Sequence, residues 1–304
     1  MHRTFPFRSA LILGLVLASV PPSPAGADGQ LEDNLSAYVG VNAEGYLGPL
    51  RDGIGGALNS GLFMYPSPPE FGFHLRLDGR AGVTMYKDED RTFMATTDPS
   101  FGDPVTVEAP TVVGSTESYT ITDPETGAVY TFPGGFDVDS FGLAAPQLTV
   151  GVIYGTEFMG RFITYDPNDL EIDNVQLWGV GARHSLSQWL SEPPVDIAIH
   201  GMYQNLQVDD DFIDASTLSL GAEVGKTFGI FSGYVGAAYH TVDLDATYES
   251  SASGTTETVR VTLERSNTFD LGLGATLRLA FLHLNGEYHF AERNSYALGI
   301  GLGN

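Results

Sequence analysis

The sequence predicts an all-β fold, an antiparallel up-and-down transmembrane β-barrel of about 10 strands (range about 8–14) behind a short N-terminal helical segment. Three observations carry that reading. Phe71 to Tyr86 alternates without a break between residues lacking a polar side chain and a second, largely polar set. The same alternation returns repeatedly from residue 148 to the end of the chain. The connections between these stretches are by turns polar and mostly acidic, then generally shorter.

In a strand, successive side chains point to opposite faces. Between Phe71 and Tyr86 one face carries Phe71, Phe73, Leu75, Leu77, Ala81, Val83 and Met85, and the other carries His74, Arg76, Asp78 and Arg80. A tilted strand crosses a bilayer in about 9–11 residues. A stretch this long, apolar on one side and charged on the other, fits a wall with lipid outside and a polar lumen inside.

The chain has 304 residues, 37 glycines and no cysteine, so disulfides, thiolate metal sites and a lipid-modified N-terminal cysteine are excluded. Residues 1–27 read as a secretory signal: His2, Arg3 and Arg8 are basic, Ala10 to Val20 is an apolar run, and Ala25-Gly26-Ala27 offers a small-residue cleavage pattern. Residues 28–304 then hold 12 basic and 38 acidic residues, a net of −26. That balance argues against nucleic acid as a partner, because neutralising phosphates requires Lys and Arg.

Residues 28–68 form a linker and helical segment before the barrel at 69–304. Residues 28–34 are polar and read as a linker. Leu35, Val39, Ala43, Leu47, Leu50, Ile54, Leu58 and Leu62 recur at intervals of three or four, a helical stripe. Pro49 is expected to divide it into two short helices, acting as a periplasmic cover or as a plug in the lumen. Pro66-Ser67-Pro68-Pro69 ends the segment.

Residues 87–145 form a long acidic excursion, with Ser118–Thr122 and Ala128–Phe132 flanking Asp-Pro-Glu-Thr-Gly as a local hairpin. Such length suits the external loop of an outer-membrane barrel. The connections at 166–173, 209–214, 249–256 and 291–294 are also polar, whereas those at 155–156, 187–193, 228–230 and near Ala280 are generally shorter. An up-and-down barrel with two different ends predicts this parity, and it places both ends of the barrel domain at the short-turn side. A β-sandwich has no reason to segregate its loops.

Several strings together resemble a domain-of-unknown-function family of secreted bacterial proteins that are similar to outer-membrane barrels. They are Ala43-Glu44-Gly45-Tyr46-Leu47-Gly48-Pro49-Leu50, Ala57-Leu58-Asn59-Ser60-Gly61, Ala109-Pro110-Thr111-Val112-Val113-Gly114, Phe132-Pro133-Gly134-Gly135, Ala145 to Gly151, Gly155 to Arg161 and Gly181 to Leu190. The resemblance covers most of the chain from about residue 35. It implies a barrel fold and an outer-membrane location of the Gram-negative type, and brings no activity with it.

The lumen-facing candidates are His74, Arg76, Asp78, Arg80, Glu157, Arg161, Arg183, Asp196, His200, Glu223, Asp270, Arg278, His283, Glu287 and His289. Charges of both signs on an interior wall must be paired or hydrated. They form either an interlocked ion-pair network or a polar path for a small solute. His283, Glu287 and His289 share one strand face and would need a further ligand from another strand to hold a metal. His184, Ser185 and Ser187 invite comparison with lipid-active barrel enzymes, but in a strand the histidine faces away from both serines. The acidic runs Asp209-Asp210-Asp211 with Asp214, and Asp166, Asp169, Glu171 and Asp173, offer at most weak binding of a loop divalent cation.

No cofactor, catalytic set or nucleic-acid surface is expected. The expected function is a passive solute channel or a surface structural protein in contact with outer-membrane lipid and lipopolysaccharide. The alternatives are a secreted or periplasmic β-sandwich binding module using the 87–145 loop, which the non-aromatic end Leu302-Gly303-Asn304 accommodates, and a lipid-active barrel enzyme. The barrel reading predicts that residues 28–304 migrate faster on a detergent gel unheated than boiled. A protein that fractionates as freely soluble contradicts it.

Overall fold

The computed structural model describes residues 11–12, 27–65, 73–97, 101, 103–151, 154–165, 174–191, 193–209, 212–250 and 256–303. The expected signal segment lies outside them apart from residue 27 and Leu11–Ile12, a two-residue strand (β1).

Ten strands close into one antiparallel barrel. They are β2 (His74–Met85), β7 (Ser140–Gly151), β8 (Thr156–Tyr165), β9 (Val175–Ser185), β10 (Asp196–Val208), β11 (Ile213–Phe228), β12 (Phe231–Ser250), β13 (Glu257–Leu279), β14 (Leu282–Phe290) and β15 (Ser295–Gly303). Each pairs with its sequence neighbour in the barrel, and β15 returns to β2. Every barrel strand pairs on both sides over at least part of its length, which a two-layer sandwich with two edges per sheet does not allow, so the sandwich alternative is overturned. The parity of the connections holds: the long ones share one end, and His74 and Gly303 both lie at the short-turn end.

The excursion stops at residue 139, since Ser140 to Ala145 already belong to β7. It holds two hairpins, β3 (Thr92–Thr96) with β4 (Thr106–Pro110) and β5 (Tyr119–Thr122) with β6 (Val129–Phe132). The second matches the expected local hairpin; the first was not expected.

The helical segment differs from expectation in three ways. Residues 28–34, read as a linker, belong to helix α1 (Ala27–Ser36). The break falls at residues 37–40, where Gly40 adopts a left-handed φ of 55° that glycine takes without steric cost. Helix α2 (Val41–Asn59) runs on through Pro49, and Gly48 before it lacks the Cβ that would meet the pyrrolidine ring. The helices also lie at the long-loop end rather than the periplasmic one: Tyr248 and Ser250, high on β12, donate to the carbonyls of Tyr38 and Ser36.

From that end α2 descends into the barrel mouth. Residues 60–65 continue inside the wall toward the short-turn end, and every one of them is buried. The fit is close at Gly82 of β2, where a Cβ would come within 2.1 Å of the Ala57 carbonyl oxygen and 2.3 Å of Ser60 Oγ.

The wall changes character along its height. In the lower part of β12, Phe231, Val235 and Tyr239 point outward and are exposed, while Ser232, Tyr234 and His240 are buried inside. Above His240 the inward residues become Val242, Leu244, Ala246 and Tyr248, and the outward ones become Asp243, Asp245 and Glu249. Val242, Leu244 and Ala246 therefore form the inner face, not a lipid face. Leu244 and Ala246 join Leu206, Ile213 and Leu263 in an apolar core that holds α1 and α2 to the strand tops, and Val242 packs at Gly55 of α2.

Gly82→Ala is expected to lower stability by about 1–3 kcal/mol through overpacking against a backbone carbonyl. Gly79→Ala, whose added Cβ would have no neighbour nearer than 3.9 Å, serves as the control. Denaturant unfolding of the two variants in detergent measures the difference.

Candidate functional site

The interior of the lower barrel is a set of charged side chains closed around residues 58–65. Leu58 and Asn59 close α2, where the last carbonyls have no partner within the helix, and residues 60–65 have no strand partner, so these backbone groups need hydrogen bonds from elsewhere. The wall supplies them. Arg161 Nη1 and Gln204 Nε2 donate to the Leu58 carbonyl at 3.0 and 2.8 Å. Arg80 Nη1 donates to the Gly61 carbonyl at 3.2 Å. Thr276 Oγ1 donates to the Met64 carbonyl, and Met64 N donates to Glu223 at 3.3 Å.

Tyr65 is the deepest anchor. Its hydroxyl donates to Glu157 at 2.6 Å and accepts from Arg76 Nη1 at 3.0 Å. The guanidinium carbons of Arg76, Arg183 and Arg278 lie 5.3, 4.9 and 4.9 Å from its ring centroid, within reach of cation–π attraction. Phe63 stacks on His289 at 5.4 Å and meets the edge of His200 at 5.1 Å. Gly236 and Gly272 make room for it, since a Cβ on either would come within 3 Å of the Phe63 ring.

The charges also pair with one another. Arg183 donates to Glu223 and lies 3.6 Å from Glu157, which itself sits 2.8 Å from His74 Nε2. Arg76 Nε bonds Asp78 at 2.8 Å. Arg80 reaches Asn285 at 2.9 Å and stands 3.8 Å from Glu287. Asp270 Oδ2 sits between His240 at 2.8 Å and His289 at 2.9 Å, and the second nitrogen of His289 reaches Glu287 at 3.1 Å.

Of the fifteen lumen-facing candidates, thirteen are buried in this interior, and Asp196 and Arg278 are half-buried. The alternation puts Gln204, Thr276 and Asn285 on the polar strand faces without singling them out, and sequence reasoning missed Gln147, His240 and the plug residues Phe63, Met64 and Tyr65. The signal available was the apolar run Leu62 to Tyr65 continuing beyond the helical stripe and stopping at Pro66.

The other candidates are not brought into one site. His289 and Glu287 meet, but His283 pairs with Arg278 and Gly301 near the short-turn end, six positions along β14. Among the described residues no group of three or more ligand-type side chains is arranged to hold a metal. His184 bonds Thr156 Oγ1 at 2.9 Å and Gln188 at 3.1 Å and packs on Trp189. Ser187 Oγ accepts instead from Ile197 N at 2.7 Å. Asp166, Asp169, Glu171, Asp173, Asp210 and Asp211 lie outside the described residues. Asp209 and Asp214 cap neighbouring chain, accepting from Asn174 N and from Asn205.

At the mouth, Arg293 clamps the helix to the loops, with Nη1 2.8 Å from Asp52 and Nε 2.9 Å from Asp90. Burial pulls its pKa down, but the two carboxylates outweigh that and hold it above the usual arginine value. A cavity of about 40 Å³ lies beside this clamp, lined by Asn59, His240, Asp270 and Arg293 among others. A second, of about 10 Å³, lies between the plug and β7.

A model of the family of unknown function DUF6588 matches residues 4–304. The chain belongs to that family. No curated protein matches it. Among solved structures it is similar to the outer membrane protease OmpT of Escherichia coli, at 8% identity over 77% of this chain and 96% of that chain, TM-score 0.35. It is similar to a loop-deletion mutant of the outer membrane protein OmpT of Vibrio cholerae, at 12% identity over 77% and 98%, TM-score 0.28. It is also similar to a FadL homologue of Pseudomonas aeruginosa, at 8% identity over 83% and 96%, TM-score 0.27. Likeness this low assigns no activity.

Removing one partner of a buried ion pair strands the other, at about 3–5 kcal/mol. Arg183→Met should therefore destabilise the barrel by about that amount, and Glu223→Gln added to it should recover part of the loss. A double-mutant cycle by denaturant unfolding measures the coupling.

Proposed function

We propose that the chain is an outer-membrane β-barrel, exported through a cleaved signal peptide, whose lumen is shut at rest by its own residues 58–65. It passes small solutes only when that plug is displaced.

The membrane part of the proposal is supported by the outer surface. On β13, Leu279, Leu273, Leu271 and Phe269 are all exposed. The ten steps from Leu279 to Phe269, at about 3.4 Å each along a strand tilted by about 40°, rise roughly 26 Å, close to the apolar band of about 25 Å in such barrels. Exposed aromatics mark both margins: Phe73, Tyr154, Trp189, Phe228 and Phe281 near the short turns, and Phe162, Tyr203, Tyr239, Phe269 and Tyr296 toward the long loops. Aromatic side chains favour the membrane–water interfaces. Above the upper margin the exterior turns acidic, which suits water and divalent cations bridging lipopolysaccharide phosphates.

One observation carries the closed state: the wall charges Arg161, Arg80 and Glu223 bond to the plug backbone at Leu58, Gly61 and Met64. A water needs about 10–15 Å³, so the cavity beside the plug holds one at most and the mouth cavity a few. The protein needs no cofactor in this role and acts as no enzyme. A surface structural role is the second reading, favoured by the apolar core that fuses α1 and α2 to the strand tops.

In planar lipid bilayers the protein is expected to show no steady conductance. Phe63→Ala/Tyr65→Ala, which strips two anchors from the plug, should produce intermittent openings. A steady open pore in the unaltered protein overturns the closed-lumen reading.

A further inference from the structure

We propose that the lower lumen is a site for small oxyanions, carboxylate or phosphate, held by Arg161 and Arg80 with Arg278 at its short-turn entrance, and that residues 58–65 occupy this site in the closed state. The assignment rests on the closed-lumen reading above and names the class of solute that takes the plug's place.

The lower lumen holds Arg76, Arg80, Arg161, Arg183 and Arg278, half the arginines of residues 28–304, in a chain whose net charge is −26. The buried carboxylates around them are matched within the wall. Asp78 sits on Arg76, Glu223 on Arg183, and Glu157 between His74 and Arg183. Glu287 faces His289 and Arg80, and Asp270 is shared by His240 and His289. Two arginines are left over. Among the described residues, Arg161 and Arg278 form no ion pair with a carboxylate, the half-buried Asp196 included. From the wall Arg161 receives only the amide oxygens of Gln147 and Gln204, each at 2.9 Å. Arg278 has the Tyr65 ring, at 4.9 Å.

The plug supplies what the wall withholds. Arg161 Nη1 donates to the Leu58 carbonyl at 3.0 Å and Nη2 to the Gly61 carbonyl at 3.4 Å, where Arg80 Nη1 also arrives at 3.2 Å. Two guanidiniums thus converge on one neutral oxygen. Arg80 is buried and its Nε has no partner, so a further donor on the same fork is unused. A carboxylate or phosphate offers such forks several acceptors at once and brings the negative charge that a carbonyl lacks. A cation is repelled by the same groups. The cavity of about 10 Å³ beside the plug is lined by Arg80, Arg161 and Ser60 as well as by apolar residues, and it holds one water at most. The oxyanion therefore binds as the chain at Leu58 and Gly61 withdraws. Glu157 and Glu223 then keep their basic partners, whereas Arg161 and Arg278 keep none that is charged. Arginines left facing a narrow pore select anions.

The test uses residues 28–304 and the opened variant Phe63→Ala/Tyr65→Ala, each protein first checked for the heat-modifiable mobility of a folded barrel. Inorganic phosphate and acetate are titrated by calorimetry in detergent, and reversal potentials are read in planar bilayers under a potassium chloride gradient. The opened variant should bind at least one of the two ions, and which one it binds tells phosphate from carboxylate. The parent, whose plug holds the site, should bind several-fold more weakly. Openings of the opened variant should favour anions several-fold. Arg161→Gln added to it should abolish binding and most of the selectivity. Arg161→Lys keeps the charge without the fork, so it should keep the selectivity and lose most of the binding. Arg278→Gln should weaken selectivity more than binding.

Binding without openings overturns the gated-channel reading and leaves the oxyanion site standing. Openings without binding of either ion overturn the site and spare the gate. Neither binding nor openings overturns both. Binding that is unchanged in Arg161→Gln, or openings that favour cations, also overturn the site. If Arg161→Gln does not fold, unchanged binding in Arg161→Lys overturns it instead.

Discussion

The interaction on which the rest of the structure depends is the bonding between the charged inner wall and the unpaired backbone of residues 58–65. Neither half is tolerable alone. A guanidinium such as Arg161 or Arg80 inside a narrow barrel is costly unless several acceptors surround it, and a stretch of chain with no helix or strand partner needs donors. Leu58 and Gly61 present carbonyls where Arg161, Arg80 and Gln204 can reach them. The wall is thereby neutralised in part by backbone dipoles as well as by Asp and Glu.

The inversion of polarity along β12 follows from the same demand. Below His240 the surroundings proposed for the outer face are hydrocarbon, and the inner face holds charges with partners. Above it the exterior is Asp243, Asp245 and Glu249, and the inner face packs apolar against α1 and α2. One strand serves both regimes without a shift in its own register because the residue types exchange faces. On β13 a one-residue bulge opposite Val242 and Leu244 helps make the transition, since an extra residue reverses which positions face inward.

These two features set what can move. The plug is held by many polar contacts, each modest, and by Phe63 and Tyr65, whose rings fill spaces cut for them. The wall is paired over long ladders, nineteen positions between β12 and β13 but only five between β7 and β8. Pairing is thus densest along the tall strands β12 and β13 and thinnest between β7 and β8.

The sequence by itself determined the barrel, a strand number of about ten and the segregation of its loops. Period-two alternation and loop character are local properties, written residue by residue from Phe71 onward. It also picked out His74, Arg76, Asp78, Arg80 and the other charged residues of the polar set, because a charge opposite an apolar face has one sensible direction. Uncharged members such as Gln204 and Asn285 shared those polar faces but could not be singled out, since nothing local separates a buried amide from a solvated one. Only the tertiary structure decided that the helices stand at the long-loop end, that Phe63, Met64 and Tyr65 thread the lumen, and that Val242 and Leu244 face inward. Those outcomes depend on which backbone groups lack partners after the barrel has closed, and that is settled by contacts between residues far apart in the chain.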